Sequence, residues 1–377
     1  MSGAWGSGGK RILMASLLCL LLAAACQGGG SPPMPLVVPA AAPISLAFAP
    51  DGRVFYTELQ GNVRVLTPDG QILEQPFATV EAVHGQENPE SGLIGLALDP
   101  DFESNHYVYI YYVAQLSRSQ AQPIILRYTD QDSVGVSPTP IIDDLPKLDA
   151  SHVFHIAGNL HFGPDGYLYV SIGNYDEDES AQDLSTPKGK ILRVNKEDGS
   201  APADNPFVGE PGADPRIFAY GFRNPFDFTI DPKSGQLYAT ENGPDRCDVL
   251  FLIVKGANYG WPDPWAPNSC TVPGSPEPLY LFTRDPELKP WDPFSTVAPA
   301  GIQFVSPDLN EDLANSLLVC EYIGGKMRRL QLGGDNLDKI VSDTILVQEG
   351  CGIDVSIDRE GTIWYTNHSE IRRLVLQ

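Results

Sequence analysis

Short runs in which apolar and polar residues alternate, each broken by a Pro, Asp or Gly turn, recur along this chain. LAFAPDGRVFYTE begins at Leu46, LALDPDFESNHYVYIYY at Leu96 and LHFGPDGYLYVSIG at Leu160. FTIDPKSGQLYAT begins at Phe228, IQFVSPDLNEDLANSLLVCEY at Ile302 and DVSIDREGTIWYTNH at Asp354. A period of two, a turn and then a Tyr-, Val- and Ile-rich run predict a β-hairpin each time. Further strands follow, several with a central arginine: NVRVL, ILRYT, ILRVN, MRRLQL and IRRLVL. Multi-strand units repeating about every 50–75 residues are the signature of β-propeller blades. Six copies predict an all-β, six-bladed propeller of four-stranded antiparallel blades over residues 41–377. A two-sheet sandwich explains neither the count nor the internal similarity.

That architecture has a geometric consequence. The loop before each blade's first strand and the residues after its second strand lie on one face. His155 precedes the first strand of blade three, and Asn174 ends its second. Arg223 and Asn224 precede blade four; Glu241, Asn242, Gly243 and Pro244 end its second strand. Glu90 precedes blade two. These polar groups are expected around the mouth of the central channel, where binding sites form. His155 there is a candidate general base. Arg223 beside Asn224 is placed to polarise an oxygen. The tight turn ENGPD, Glu241 to Asp245, offers carbonyl oxygens suited to Ca²⁺, although turn chemistry alone would also explain it. The acidic run Asp176 to Glu179 could bind Ca²⁺ but reads better as a solvated loop, His161 as a residue packed between blades and His152 as a loop residue without a role. His84, His106 and His368 form no sequence cluster.

Composition narrows the picture. Hydrophobic residues make up 42% and charged residues 19% of 377, which supports a large core; Gly 36 and Pro 34 suit many turns. The formal net charge of -23 disfavours nucleic acid and anionic membrane surfaces as partners. A Rossmann fingerprint, a P-loop and a GxSxG elbow are missing, which argues against nicotinamide, nucleotide and standard esterase chemistry.

At the N-terminus, Lys10 and Arg11 precede the apolar run ILMASLLCLLLAAAC, the pattern of an export signal over residues 1–26. Ala23-Ala24-Ala25-Cys26 is similar to a lipobox, which makes Cys26 a candidate for lipidation. The protein is then expected outside the cytoplasm, on the outer face of a bacterial membrane, touching it only through a lipid anchor. Residues 27–40, beginning QGGGSPPMP, read as a flexible linker. Four cysteines remain, an even number suited to two disulfides in an exported protein. Sequence neighbours suggest Cys247–Cys270 and Cys320–Cys351, among three possible connectivities.

Together these segments resemble the soluble pyrroloquinoline quinone (PQQ)-dependent sugar dehydrogenases, the glucose/sorbosone dehydrogenase-like propellers, from about Ile44 to the end of the chain. HIAGNLHFGPDG resembles the family's histidine segment, GFRNPFDF its arginine–asparagine motif, and TENGPD with LIVKGANYGWP its calcium turn. ESGLIGLALDPDF and AQDLSTPKGKILRVN also look like family sequence. The resemblance implies that His155 is the catalytic base, Arg223 a catalytic and cofactor contact, Asn224, Glu90 and Asn174 cofactor-site residues, and the carbonyls of Gly243 and Pro244 the Ca²⁺ ligands. The implied reaction is oxidation of an aldose to its lactone, with hydride passing to PQQ and then to an unknown electron acceptor.

Departures accompany the likeness. Where the family has a lysine and two arginines for the cofactor's carboxylates, this chain has Ile323, Cys351 and Ile353, with Lys326 as a partial substitute. Asn174 stands in place of an aspartate that orients the histidine, and Glu90 in place of a glutamine. The alternative is a cofactor-free propeller that binds a sugar or a protein partner.

Overall fold

The computed structural model describes residues 1–3, 36–83 and 90–374. The export signal and Cys26 lie outside the described residues. The unit from Met34 onward is a ring of six antiparallel sheets around a central tunnel. Blade one contains Pro43–Phe48, Val54–Glu58, Asn62–Leu66 and Ala78–Thr79, from tunnel to rim. Blade three contains Ala157–Phe162, Leu168–Ile172, Lys190–Val194 and Ile217–Tyr220. Blade four contains Phe228–Ile230, Leu237–Glu241, Val249–Ile253 and Tyr280–Leu281. Blade five contains Pro299–Val305, Ser316–Glu321, Met327–Gly333 and Lys339–Val347.

Blades two and six depart from the simple repeat. In blade two, Leu93–Leu98, Tyr107–Gln115 and Gln120–Gln131 are followed by two segments, Val134–Ile142 and Leu148–Asp149. Both pair with the long third strand, so they share the outer position. In blade six, Val355–Ile357, Ile363–Thr366 and Glu370–Leu374 are completed by Leu36–Pro39 from the start of the propeller. Those four residues, expected in the linker, instead close the ring by pairing with the last strand.

The second strand is buried along its whole length in five of the six blades, as in VFYTE, LYVSI and LYATE, while in blade two Tyr107, Tyr112 and Gln115 are half-buried. Neighbouring blades cover both its faces, so it reads as a nearly continuous apolar run rather than a strict alternation. In the PDG turns, Gly52 and Gly166 adopt φ +86° and +80°, a left-handed conformation that glycine accepts without a Cβ clash. The recurring third-strand arginines cover aromatic rings: Arg127 lies 4.1 Å over Tyr107 and Arg193 4.2 Å over Tyr167.

Buried polar side chains clip blade one to two, three to four, four to five and six to one. The Thr57 hydroxyl donates to the Ile94 carbonyl, Asn159 to Phe226, and Thr240 to Ala300. Asp227 accepts the Ile302 N–H and Asp354 the Leu46 N–H. These bonds satisfy backbone groups that face the tunnel. His161 fits the same frame: it packs edge-on against Phe228 of blade four, with Nε2 3.1 Å from Asp227. Two disulfides, Cys247–Cys270 and Cys320–Cys351, complete the framework; the second joins blades five and six.

Candidate functional site

The channel mouth is assembled around His155. Its N–H donates to Glu90 Oε2 at 2.7 Å, tying blade three to the loop before blade two. The residue is buried and left-handed, φ 50°, a conformation uncommon outside glycine and often found where function constrains the backbone. Its carbonyl sits against Gly173 so closely that a Cβ there would lie 1.8 Å away. Nδ1 of His155 is 2.8 Å from Asn174 Oδ1. The amide orientation follows from its other partners: Oδ1 accepts the Asp176 N–H at 3.0 Å, and Nδ2 donates to Asp178 Oδ1 at 2.9 Å. An oxygen therefore faces the ring, Nδ1 carries the proton, and Nε2 is the basic nitrogen. Burial pushes the His155 pKa below its ordinary value, and the Arg223 charge adds to this. Both effects favour the neutral imidazole, which is the form a general base requires.

Blade four supplies the second polar group. Glu241 Oε1 accepts the N–H groups of Arg223, at 2.7 Å, and Asn224, at 3.2 Å. The Asn174 N–H donates to the Arg223 carbonyl at 2.8 Å, which stitches the histidine segment to the arginine motif. The Arg223 guanidinium lies 5.8 Å from the Trp261 ring centre and donates to the carbonyls of Asn242, at 3.0 Å, and Gly243, at 3.3 Å. The turn is rigid. The Gly243 N–H donates to Asp248, which also accepts from Val297 and Ala298.

Among the described residues, three buried acceptors at this turn have no hydrogen-bond partner: Asn224 Oδ1, Glu241 Oε2 and Asn242 Oδ1. Burial pushes the Glu241 carboxyl up to about 8 and that of Asp248 to about 6. Unpaired buried oxygens are costly, and a hard divalent cation would relieve them. Among the described residues there is no group of three or more His, Cys, Asp or Glu suited to a metal. The donor set therefore fits Ca²⁺ held mainly by amide and carbonyl oxygens.

Beside these groups lies a cavity of about 260 Å³. Glu90 and Asn242 line its polar side. Ile94, Phe226, Ile323 and Ile353 make apolar walls, with the rings of Tyr322 and His368. Among the described residues, no lysine or arginine lines it. Cys351 is buried in its disulfide with Cys320. Lys326, expected to replace a missing cation, lies outside the cavity lining, past the Gly324–Gly325 bend of the blade-five hairpin. The cavity thus offers a flat ligand room and apolar walls, and the turn fits a cation, but partners for three carboxylates are missing.

Several contributors were not anticipated. His368 and Tyr322 pack edge to face, ring centres 5.3 Å apart, and both line the cavity. Each follows a blade's second strand, so the topological rule that placed Asn174 also points to them. The acidic run is not merely solvated. Asp176 pairs with His152, Asp178 holds Asn174 and Trp261, and Glu177 pairs with Lys188.

The chain is similar to several known proteins. The family model described as Glucose / Sorbosone dehydrogenase matches residues 40–376. An aldose sugar dehydrogenase of Escherichia coli is 33% identical over 261 residues, 65% of this chain and 68% of its own. A quinoprotein glucose dehydrogenase of Acinetobacter calcoaceticus is 33% identical over 246 residues, 59% of this chain and 50% of its own. A Thermus thermophilus structure described as a putative oxidoreductase (glucose dehydrogenase) is 29% identical, with a TM-score of 0.73 over 90% of this chain and 99% of that one. The human Hedgehog-interacting protein is also similar, 27% identical over 58% of this chain and 35% of its own.

Proposed function

Because the chain belongs to the glucose/sorbosone dehydrogenase family across residues 40–376, we propose that it oxidises an aldose-type sugar to its lactone, using PQQ and Ca²⁺ at the channel mouth. The observation that carries this reading is the His155 ring, with Nδ1 held by Asn174 at 2.8 Å, Nε2 left basic, and the Arg223 charge acting on it. The aldose and quinoprotein relatives support the substrate and cofactor classes. When bound, PQQ supplies a two-electron hydride acceptor, activated by its calcium ion. Asn224, Glu241 and Asn242, with the carbonyls of Gly243 and Pro244, would hold the cation. Arg223 supplies N–H donors for an oxygen on which negative charge grows. His155 Nε2 would take the proton from the anomeric hydroxyl oxygen, which lets the anomeric carbon give up its hydride to the bound acceptor and turns the hemiacetal into a lactone. The apolar walls at Phe226 and Ile353 keep water from that carbon.

Export and lipid anchoring through Cys26 belong to the same reading, since the reaction then takes place outside the cytoplasm. The second reading, a propeller that binds a sugar or protein partner without oxidation, is favoured by the cavity's lack of cations. Titration of the purified protein with PQQ plus Ca²⁺, followed by an aldose panel with an artificial acceptor dye, separates the two. Saturable PQQ binding with dye reduction supports the dehydrogenase. No binding and no dye reduction supports the partner-binding propeller.

A further inference from the structure

Asn174 presents a difficulty for a base at position 155. A neutral amide fixes the imidazole tautomer but offers no charge to the imidazolium that forms when Nε2 gains a proton. The groups facing His155 are Glu90 on its N–H, Arg223 from blade four, and Asp176 on the site loop. Arg223 works against the protonated ring. Asp176 Oδ1 lies 3.7 Å from Nδ1, too far to hydrogen-bond but close enough for a Coulombic contact. Its other oxygen is 2.9 Å from His152 Nε2. Asp178 stands behind the amide. Its Oδ1 accepts from both Asn174 Nδ2 and Trp261 Nε1, each at 2.9 Å. A flipped amide would set an NH₂ against the Asp176 N–H and an oxygen against the Asp178 carboxylate, so the flip is opposed twice.

The loop that brings both carboxylates here is held against local preference. Tyr175 and Asp176 are consecutive left-handed residues, φ 56° and 60°, and Tyr175 is buried. At the far end of the loop the buried Lys190 ammonium donates to the carbonyls of Ser180, Ala181 and Lys188. We propose that Asp176 and Asp178 are the positioning pair for His155: Asp178 locks the Asn174 amide so that Nδ1 stays protonated, and Asp176 supplies the negative charge that the imidazolium requires. The hydroxyl proton goes to Nε2, Nδ1–H stays in place, and nothing passes to Asn174 or either carboxylate.

The consequence for catalysis rests on His155 being the base of the proposed oxidation, but the test does not. Ring ¹⁵N signals of His155 are followed against pH in the full protein without added cofactor and assigned by comparison with His155→Gln. The wild type is expected to show the Nδ1–H tautomer. Asp176→Asn is expected to lower the midpoint by about half a pH unit, a modest shift because Asp176 is half-exposed, with the tautomer unchanged. Asp178→Ala is expected to mix the tautomers, while Asp178→Asn, which keeps an acceptor, preserves Nδ1–H. An unmoved midpoint in Asp176→Asn overturns the charge role. An unmixed tautomer in Asp178→Ala, or in Asn174→Ala should that variant fail to fold, overturns the lock. If the protein never reduces a dye with any aldose, the enzymatic reading fails while these spectra still decide the pair.

Discussion

The two halves of the channel mouth differ in chemistry. The half built by blades three and four is polar, crowded and strained. Its histidine and arginine are fixed by hydrogen bonds to Asn174 and Glu241, the Asn174 N–H joins the two blades through the Arg223 carbonyl, and three acceptors there lack partners among the described residues. The half built by blades five and six is apolar. It presents Ile323, Ile353 and Tyr322, with a disulfide behind them where cations would face an anionic ligand. Both halves use the same topological positions, after second strands and before first strands. Topology therefore decides which residues reach the mouth, and residue type decides what each half does there. On the proposed function, the polar half would carry the chemistry, and the apolar half would mainly provide stability and shape.

The largest effect should come from His155. His155→Ala is expected to lower dye-linked sugar oxidation roughly 10²–10⁴-fold with the far-ultraviolet circular dichroism unchanged, since the side chain leaves from a loop. A variant turning over at nearly the wild-type rate would break the comparison at its strongest point. Next is the staple of the other half. Cys320 and Cys351 are 31 residues apart, and closing such a loop is worth about 3–4 kcal/mol in the chain-entropy model. Cys320→Ala with Cys351→Ala should lower the denaturant midpoint accordingly while leaving the His155 ring signals in place. An unchanged midpoint would remove the stabilising role assigned to blades five and six.

Much of this was legible because blade hairpins are local. Leu46 to Glu58 and Leu160 to Ile172 carry their pattern and turn within a few residues, and the repeat multiplies the signal. The closing strand Leu36–Pro39 was not legible, since its identity depends on a partner at Glu370–Leu374. At the site, His155, Asn174 and Arg223 followed from topology. Asp176 and Asp178 did not, because their reach depends on a left-handed path that residue type does not announce. His368 was passed over because it lacks neighbours in sequence, whereas its neighbours are in space.

The apolar half can also be converted. Ile323 lines the cavity and is 41% exposed, so a longer polar side chain there keeps its head in water or meets the ligand. Ile323→Lys is expected to tighten PQQ binding, measured by fluorescence titration with Ca²⁺ present, by roughly 10-fold, the effect of one charge-assisted hydrogen bond. An unchanged affinity would mean that the missing cations do not limit cofactor binding.

The smallest effect concerns Asp354, the residue after Ile353, which reports how apolar that side is. Its carboxyl is buried and accepts from the Leu46 N–H at 2.9 Å and the Ser356 hydroxyl at 3.1 Å. Burial, and then the nearby Asp227, push its pKa up to about 7. The unfolded chain ionises this group near 3.8, so between the two values the folded state holds a proton that the unfolded state has released. The associated stability is fully present below the unfolded value, falls as pH rises toward 7, and changes no further above it. Water entry and relaxation reduce the loss from pH 5 to 7 to about 1 kcal/mol. Asp354→Asn keeps an acceptor for the Leu46 N–H but has no proton to release, so its unfolding free energy should fall less over that range than the wild type's. Parallel slopes would show that Asp354 ionises normally, and that water reaches the side of the tunnel assigned here to the apolar half.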